Sequence, residues 1–258
     1  MSSDTELPIV LVHGTMGESE EWSRVVGELS KSRPVIRPDY TRRVAGRNPT
    51  KALTIKDLAD EVVAAVRAEG KQRFDLVGSS LGSALATCIA AEYPEMLHSL
   101  VLVSGFSHGS DPRLNLQFKL WLRLASTDKV AFTKLLLVSG LSPGFLSAFD
   151  EPTVNGIIEN FIESTDWRPI EPTIKVDLSM DVRKYAARIK TPTLLITTKH
   201  DQIVPPAYSE NLIPGAKTLE LDSGHLIFLE KPVELASAIL AFCQGRVPWP
   251  SETIEACT

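Results

Sequence analysis

The chain has 258 residues, 43% of them hydrophobic, which is enough apolar content to bury the core of one α/β domain with an insertion. Its formal net charge of −5 offers no basic face for the phosphates of a nucleic acid. No apolar run approaches the span of a bilayer, and residues 1–6 lack the basic and apolar regions of a signal peptide. We therefore expect a cytoplasmic protein without a membrane partner, and the three widely spaced cysteines predict free thiols.

The first part of the chain alternates apolar strands with amphipathic helices. A continuous apolar run at 8–12 predicts a strand buried on both faces, and it ends at His13-Gly14-Thr15. Residues 18–30 predict a helix and residues 34–37 a second strand. Thr54, with Asp57 three residues later, predicts a capping box at the start of the next helix.

A third strand at 74–77 leads into Gly78-Ser79-Ser80-Leu81-Gly82, which a helix follows. Gly-x-Ser-x-Gly between a strand and a helix is the pattern of a nucleophile elbow. The turn is so tight that the positions two before and two after the serine must be small, which Gly78 and Gly82 satisfy. The pattern alone predicts a nucleophile at Ser80, but the chemistry also needs a base and an acid.

The alternation breaks after a fourth strand at 100–103. Residues 106–190 have a helical pattern throughout, and such a stretch is too long for an ordinary connection. We expect a helical cap at 106–190, inserted after the fourth strand into a core formed by 1–105 and 191–258. Strands resume at 193–197 and 217–221, and a last helix follows.

Six strands separated by helices predict a doubly wound, mainly parallel six-stranded sheet. The carboxyl ends of such strands lie along one edge, where ligands bind. The polar groups that the pattern places at this edge are His13-Gly14-Thr15, Asp39, Ser80, Ser104, Asp201 and His225.

The chemistry assigns a role to three of these side chains. A serine hydroxyl such as that of Ser80 needs an adjacent base, and the histidine pKa suits this task. A carboxylate on the far ring nitrogen orients the imidazole, so Asp201 and His225 complete the order nucleophile, acid, base. The oxyanion of the tetrahedral intermediate needs N–H donors, and those of Thr15 and Leu81 are well placed.

These motifs, together with residues 199–205 and Ser223-Gly224-His225, resemble the α/β-hydrolase superfamily over nearly the whole chain, most weakly in 106–190. The resemblance implies a Ser80–His225–Asp201 triad, oxyanion donors at Thr15 and Leu81, and a pocket between sheet and cap. Two departures stand out. The two leading antiparallel strands of the family have no room before Pro8, and Ser83 stands where many members carry glycine.

Several residues compete with these assignments. Asp39 and Asp222 are the rivals of Asp201, although Asp39 follows the wrong strand and Asp222 is close to His225 in the chain. We expect His13 to bond loop backbone, whereas His108 could reach the site from the edge of the cap. Two interpretations remain for the basic loop: a solvated loop, or a docking surface for a phosphate-bearing acyl carrier, formed by Arg42, Arg43 and Arg47.

The predicted function is a serine hydrolase that cleaves an ester, thioester or lactone of a small to medium apolar substrate through an acyl-enzyme on Ser80. One or two of the cap aromatics should line its pocket, and no cofactor or metal is expected. The same triad also serves C–C bond hydrolases, cyclases and lyases, and a binding protein without turnover is a further alternative. The sequence does not indicate an oligomeric state.

Overall fold

A computed structural model describes residues 7–17, 19–41 and 52–245 of the protein. Its sheet has six strands, all pairing in parallel, in the order β2-β1-β3-β4-β5-β6. The strands are β1 (Ile9–Val12), β2 (Val35–Ile36), β3 (Phe74–Ser79), β4 (Leu97–Val103), β5 (Thr193–Thr198) and β6 (Lys217–Leu221). The predicted doubly wound six-stranded sheet is confirmed.

The strand order creates a crevice where the site is expected. The chain passes from β1 to β2 on one side and returns to place β3 on the other side of β1. The carboxyl ends of β1 and β3 therefore flank the switch point of the sheet, where α/β folds bind ligands. The register pairs Val12 with Gly78, so the two strands end side by side.

Eleven α-helices are assigned in the described part of the chain. Those outside the interval between β4 and β5 are α1 (Ser23–Leu29), α2 (Ile55–Ala68), α3 (Leu81–Glu92), α10 (Ile227–Glu230) and α11 (Pro232–Cys243). Apolar residues of α1 and α11 pack on one face of the sheet, and those of α2 and α3 on the other. The predicted capping box at Thr54 and Asp57 is present at the start of α2.

Six helices lie between β4 and β5. They are α4 (Pro112–Thr127), α5 (Lys129–Gly140), α6 (Pro143–Leu146), α7 (Glu151–Ser164), α8 (Ile170–Ser179) and α9 (Arg183–Ala186). We call α4 to α9 the inserted helices. Side-chain N-caps start four of them, at Asp111, Asp128, Ser142 and Asp150. The division of the chain into a core and a cap domain at 106–190 stays a prediction.

The thiols and the ends of the sheet complete the fold. Cys88 and Cys243 are buried and free, whereas Cys257 lies outside the described residues. At the amino end of β3, away from the expected site, Arg33 and Asp75 form a fully buried ion pair of 2.6 Å. No helix among the described residues is long and apolar enough to cross a bilayer.

Candidate active site

The turn between β3 and α3 holds Ser80 in a strained conformation. Its φ of 54° and ψ of −119° lie outside the regions that residues with a side chain normally occupy. A Cβ at Gly78 would collide with the Gly82 carbonyl, and a Cβ at Gly82 would collide with the Val12 carbonyl. Both glycines are therefore required for a sharp turn that places Ser80 at the tip.

Ser83, the departure from the family pattern, is accommodated by a neighbouring glycine. The Ser83 hydroxyl donates to the Ser80 carbonyl oxygen at 2.7 Å, which supports the turn directly. A Cβ at Gly105 would lie 2.6 Å from Ser83 Oγ, so the absence of a side chain at Gly105 makes room for the hydroxyl. A serine fits at position 83, where many members of the family carry glycine, because Gly105 after β4 has no side chain.

The loops after β5 and β6 bring Asp201 and His225 together. Asp201 Oδ2 lies 2.6 Å from His225 Nδ1, and both side chains are buried. The other oxygen of Asp201 accepts the backbone N–H groups of Ile203 at 2.8 Å and Val204 at 2.7 Å. With both oxygens engaged, the carboxyl group has one orientation, and the ring of His225 is oriented with it.

His225 and Ser80 line the same cavity, which has a volume of about 430 Å³. Among the described residues no hydrogen bond joins the side chains of Ser80 and His225. The structure therefore shows a direct contact between Asp201 and His225, and a cavity that His225 shares with Ser80. The wall is largely apolar and comes mainly from the inserted helices and the loop after β6. Its apolar members include Trp121, Leu136, Leu137, Ile157, Phe161 and Leu226. Two of the cap aromatics, Trp121 and Phe161, therefore face the cavity.

Of the two residues whose N–H groups are expected to bind an oxyanion, Leu81 directly follows Ser80 and Thr15 lines the same cavity. Leu81 is the first residue of α3, where a helix leaves N–H groups without intrahelical partners. Thr15 follows β1 and lines the cavity. His13 is buried below this loop, as expected for a structural role: its Nδ1 lies 2.9 Å from the Gly14 carbonyl oxygen, and its ring stacks on Tyr40 at 4.1 Å.

Helix α8 holds Thr15 from the side of the inserted helices. The Thr15 hydroxyl donates to Asp177 Oδ2 at 2.7 Å, and the Thr173 hydroxyl lies 2.9 Å from the Thr15 carbonyl oxygen. All three side chains are buried. Burial raises the pKa of Asp177 well above its ordinary value and so favours the neutral carboxylic acid. The hydrogen bond from Thr15 acts in the opposite direction but is the smaller effect.

The end of α5 contacts the loop that carries His225. Leu226 N–H donates to the Gly140 carbonyl oxygen at 2.9 Å. The Glu230 carboxylate accepts the N–H groups of Ser142 at 2.8 Å and Gly224 at 3.0 Å. Ser142 lies between two of the inserted helices, and Gly224 lies in the loop after β6. The inserted helices are therefore fastened to the loops of both Thr15 and His225.

Sequence reasoning missed several polar residues of this site, among them Glu21, Thr173 and Asp177. Glu21 lines the cavity next to Ser80. Burial raises its pKa to about 7, an effect partly offset by the charges of His13 and His225 and by a hydrogen bond from Gly14. Thr173 and Asp177 are polar residues on the buried face of α8, beside Ile170 and Ile174, and that placement was the available signal.

The rival candidates are placed elsewhere. Asp222 is exposed and pairs with His200 at 2.7 Å, and Asp39 accepts from Thr41 beside His13. His108 lies 2.9 Å from Ser110 and does not line the cavity. The loop arginines Arg42, Arg43 and Arg47 lie outside the described residues. Within the ranges that the structure describes, no group of three His, Cys, Asp or Glu side chains is arranged to hold a metal ion.

Comparison with known proteins identifies the family of this chain. Residues 8–232 match the family model for the alpha/beta hydrolase fold. The chain is 40% identical over 238 residues to pyrrolizixenacetamide deacetylase of Xenorhabdus hominickii, covering 91% of this chain and 90% of that protein. It is 25% identical to RutD of Rhizobium rhizogenes, a protein named as a carbamate hydrolase. The alignment covers 92% of this chain and 93% of that protein.

Solved structures share the fold at lower identity. MGS-M2, an alpha/beta hydrolase enzyme from a deep-sea metagenome library of the Medee basin, superposes with a TM-score of 0.82 at 22% identity, over 98% of this chain and 94% of that one. The enol-lactonase of Burkholderia xenovorans LB400 superposes with a TM-score of 0.79 at 23% identity, over 92% and 91%. At these identities the likeness concerns the fold alone.

Proposed function

This chain belongs to the α/β-hydrolase family and is a hydrolase of that fold, and we propose from this premise that it cleaves a carboxylic acyl bond through an acyl-enzyme on Ser80. The observation that carries the proposal is the 2.6 Å contact between Asp201 and His225, made by two buried side chains at a cavity that Ser80 also lines. Such a pair has the features of a general base with its orienting carboxylate.

In the acylation half, Ser80 Oγ attacks the carbonyl carbon while His225 takes its proton. Asp201 holds the imidazole by Nδ1, so that Nε2 is the nitrogen available to the serine. Negative charge then develops on the former carbonyl oxygen. The N–H groups of Thr15 and Leu81 are proposed to bind this oxyanion, and the start of α3 adds the positive end of its dipole.

The intermediate collapses when His225 gives its proton to the leaving group and the bond from carbon to that group breaks. A water molecule then takes the place of the leaving group. His225 removes its proton as it attacks the acyl carbon, and the acid is released while Ser80 recovers its proton. The strained turn at Ser80 supports both halves, because it keeps the hydroxyl at the tip and clear of the sheet.

The cavity supports a small to medium apolar acyl substrate. Its volume of about 430 Å³ lies at the lower end of the usual range for ligand pockets, and its wall is mainly aliphatic and aromatic. Esters, thioesters and lactones all deliver an acyl carbon to Ser80 with a leaving group that departs readily. They form the first substrate class of this proposal.

Amide deacetylation is a second candidate, and one observation favours it. The relative at 40% identity is named as the deacetylase of an acetamide, and the similarity extends over 91% of this chain. An amide would use the same acyl-enzyme, but its amine leaving group departs only after protonation. The general acid role of His225 would then be indispensable rather than helpful.

Replacement of the nucleophile tests the covalent mechanism. We expect Ser80→Ala to lower kcat/KM at least 10³-fold on p-nitrophenyl acetate, because the nucleophile is lost while the pocket stays. Mass spectrometry of the quenched wild-type reaction should find the acyl group on the peptide that contains Ser80. Circular dichroism and thermal unfolding should be nearly unchanged.

Ser79→Ala is the matched control, because it removes the neighbouring hydroxyl from the same turn. It should keep activity within about threefold. Near-full turnover by Ser80→Ala would exclude the acyl-enzyme. Turnover of the wild type with no adduct at Ser80, although the variant is inactive, would instead favour the C–C cleavage or elimination chemistry that uses His225 as the base.

A further inference from the structure

Glu21 is an acidic side chain in the cavity wall that the acyl-enzyme chemistry leaves without a role. It lies in the short 3-10 helix Ser19–Trp22 that follows the Thr15 loop, and it lines the cavity together with Ser80 and His225. The wall of this cavity is largely apolar. A carboxyl group in such a place is costly unless its oxygens find donors.

The hydrogen bonds of Glu21 leave most of its acceptor capacity unused. The backbone N–H of Gly14 faces both oxygens, at 3.3 Å from Oε1 and 3.4 Å from Oε2. Within the described part of the chain this one long, shared bond is the only hydrogen bond that the carboxyl group accepts. A carboxylate has about four acceptor positions, so lone pairs remain for a donor that enters the cavity.

Two glycines shape the loop around this carboxyl group. A Cβ at Gly17 would collide with Glu21 Oε2, so the absence of a side chain there makes room for the glutamate. A Cβ at Gly14 would lie 3.3 Å from Ser80 Cβ and 3.7 Å from Glu21 Oε2. Ser80 and Glu21 therefore flank the same residue.

Amides and esters differ at this point in the substrate. An ester oxygen carries no proton, whereas the nitrogen of a secondary amide carries one. When Ser80 attacks an amide, the nitrogen becomes pyramidal, and its lone pair must face His225 to receive the proton. Its N–H then points to the cavity wall, where an unpaired donor would cost free energy and an acceptor would stabilise the intermediate.

We propose that Glu21 accepts the N–H of the scissile bond and so directs this site toward N-acyl substrates rather than their O-acyl counterparts. The proposal rests on the acyl-enzyme function proposed for Ser80. Glu21 transfers no proton: the C–N bond breaks as His225 protonates the nitrogen, and water later releases the acid from Ser80. The net reaction converts an amide and water into a carboxylic acid and an amine.

Three substrates with one acyl group and one arene test this role. They are 4-nitroacetanilide, which has the N–H; 4-nitrophenyl acetate, which has oxygen in its place; and N-methyl-4-nitroacetanilide, an amide without the N–H. We expect Glu21→Leu to lower kcat/KM at least tenfold on 4-nitroacetanilide, and less than threefold on the ester and the methylated amide. Glu21→Gln keeps a carbonyl acceptor and should recover part of the loss.

Glu28→Gln is the control, because this glutamate lies on α1 and pairs with Lys31 at the surface. It should leave all three rates within twofold. Thermal unfolding of each variant establishes that the fold is retained, and the Gln variant still tests the proposal if the Leu variant does not fold.

The possible failures are distinguishable. Equal losses on the anilide and the ester would make Glu21 a positioning residue for Gly14, and unchanged rates on both would remove it from the reaction. Either result, or wild-type turnover of the ester with none of the anilide, overturns the proposed role of Glu21 alone. Hydrolysis that does not depend on Ser80 would instead overturn the underlying function.

Discussion

The loops that follow the core strands and the inserted helices build one cavity by different means. In the loops, the side chains of the site are oriented mainly by residues close to them in the chain. The Asp201 carboxyl is oriented by backbone N–H groups two and three residues away, and Ser80 is exposed by glycines two residues to either side. This local bonding orients the Asp201 carboxyl group, which then contacts His225 from the neighbouring loop.

The inserted helices act through distant contacts. Thr15 and Asp177 are 162 residues apart in the chain, and Leu226 meets Gly140 across 86 positions. Between these links the inserted helices contribute mainly apolar wall, such as Trp121 and Phe161. The comparison suggests that substitutions in the core loops abolish the reaction, whereas those in the inserted helices adjust its rate and substrate range.

The largest loss of activity is expected for a substitution in a core loop, at Asp201. Asp201→Asn keeps the shape of the side chain but no longer favours the ring tautomer that leaves Nε2 free to act as the base. We expect kcat to fall on the order of 10³–10⁴-fold, measured on an activated acetyl ester at pH 8. Binding of substrate, reflected in KM, should change little.

The control for this variant is a second carboxylate–imidazole pair of the same chain. Asp222 and His200 lie 2.7 Å apart, like the buried pair, but they are exposed at the surface. Asp222→Asn should therefore keep activity within twofold. A comparable loss in both variants would show that the buried pair has no special role.

An intermediate effect is expected at the link between α8 and Thr15. Asp177→Leu removes the acceptor of the Thr15 hydroxyl and leaves it buried without a partner, which costs about 1–3 kcal/mol of stability. If that link positions the oxyanion donor, kcat should fall roughly ten- to hundredfold, which is part of the cost of losing one donor. Steady-state kinetics should place the loss in kcat rather than KM.

Asp177→Asn is the matched variant, because an amide resembles the neutral carboxylic acid that burial favours. It should keep kcat within threefold and should not share the loss of stability. Full activity in both variants would show that Thr15 is held without α8. A loss in the Asn variant as large as in the Leu variant would contradict the neutral state of Asp177.

The smallest effect concerns stability and its dependence on pH. Because the pKa of Glu21 rises from 4.5 to about 7 on folding, the folded protein holds a proton that the unfolded chain has released between these values. The contribution of Glu21 to stability therefore falls as pH rises through this interval. This penalty is complete above about pH 7, where the carboxyl group is ionised in both states.

Glu21→Gln removes the titration and should raise Tm relative to the wild type, by several degrees at pH 8 and by much less at pH 5. Thermal unfolding across this range measures the difference, in which the titrating groups that do not interact with Glu21 cancel. Glu28→Gln, whose side chain is at the surface, should show no such trend. A constant difference at all pH values would mean that Glu21 does not change its protonation on folding.

The strands and the elbow could be predicted because their determinants are close together in the chain. The continuous apolar run at Ile9–Val12 indicates burial on both faces, and the spacing of Gly78, Ser80 and Gly82 is a short sequence pattern, although the atoms that exclude a side chain at Gly82 belong to Val12. The sequence of strand ends then brought Asp201 and His225 to one edge of the sheet. Their contact in the structure matches the prediction, while their catalytic role stays a proposal.

The polar groups that line and support the cavity could not be predicted in the same way. Glu21 stands in a stretch of three acidic residues, 18, 20 and 21, and nothing in its neighbours distinguishes it from the exposed Glu20. Asp177 and Thr173 interrupt an apolar helix face, yet which core loop that face covers depends on how α8 packs. The surroundings of these side chains depend on how segments distant in the chain pack together, which no local sequence pattern encodes.

By itself, the sequence determined the family, the order of the strands' polar ends and the elbow at Ser80, because each shows in a short motif or in hydrophobic periodicity. The tertiary structure alone decided that Glu21 lines the cavity and that Asp177 is buried against Thr15. The free energy of a charge depends on everything packed around it, and the groups around Glu21 and Asp177 come from distant parts of the chain.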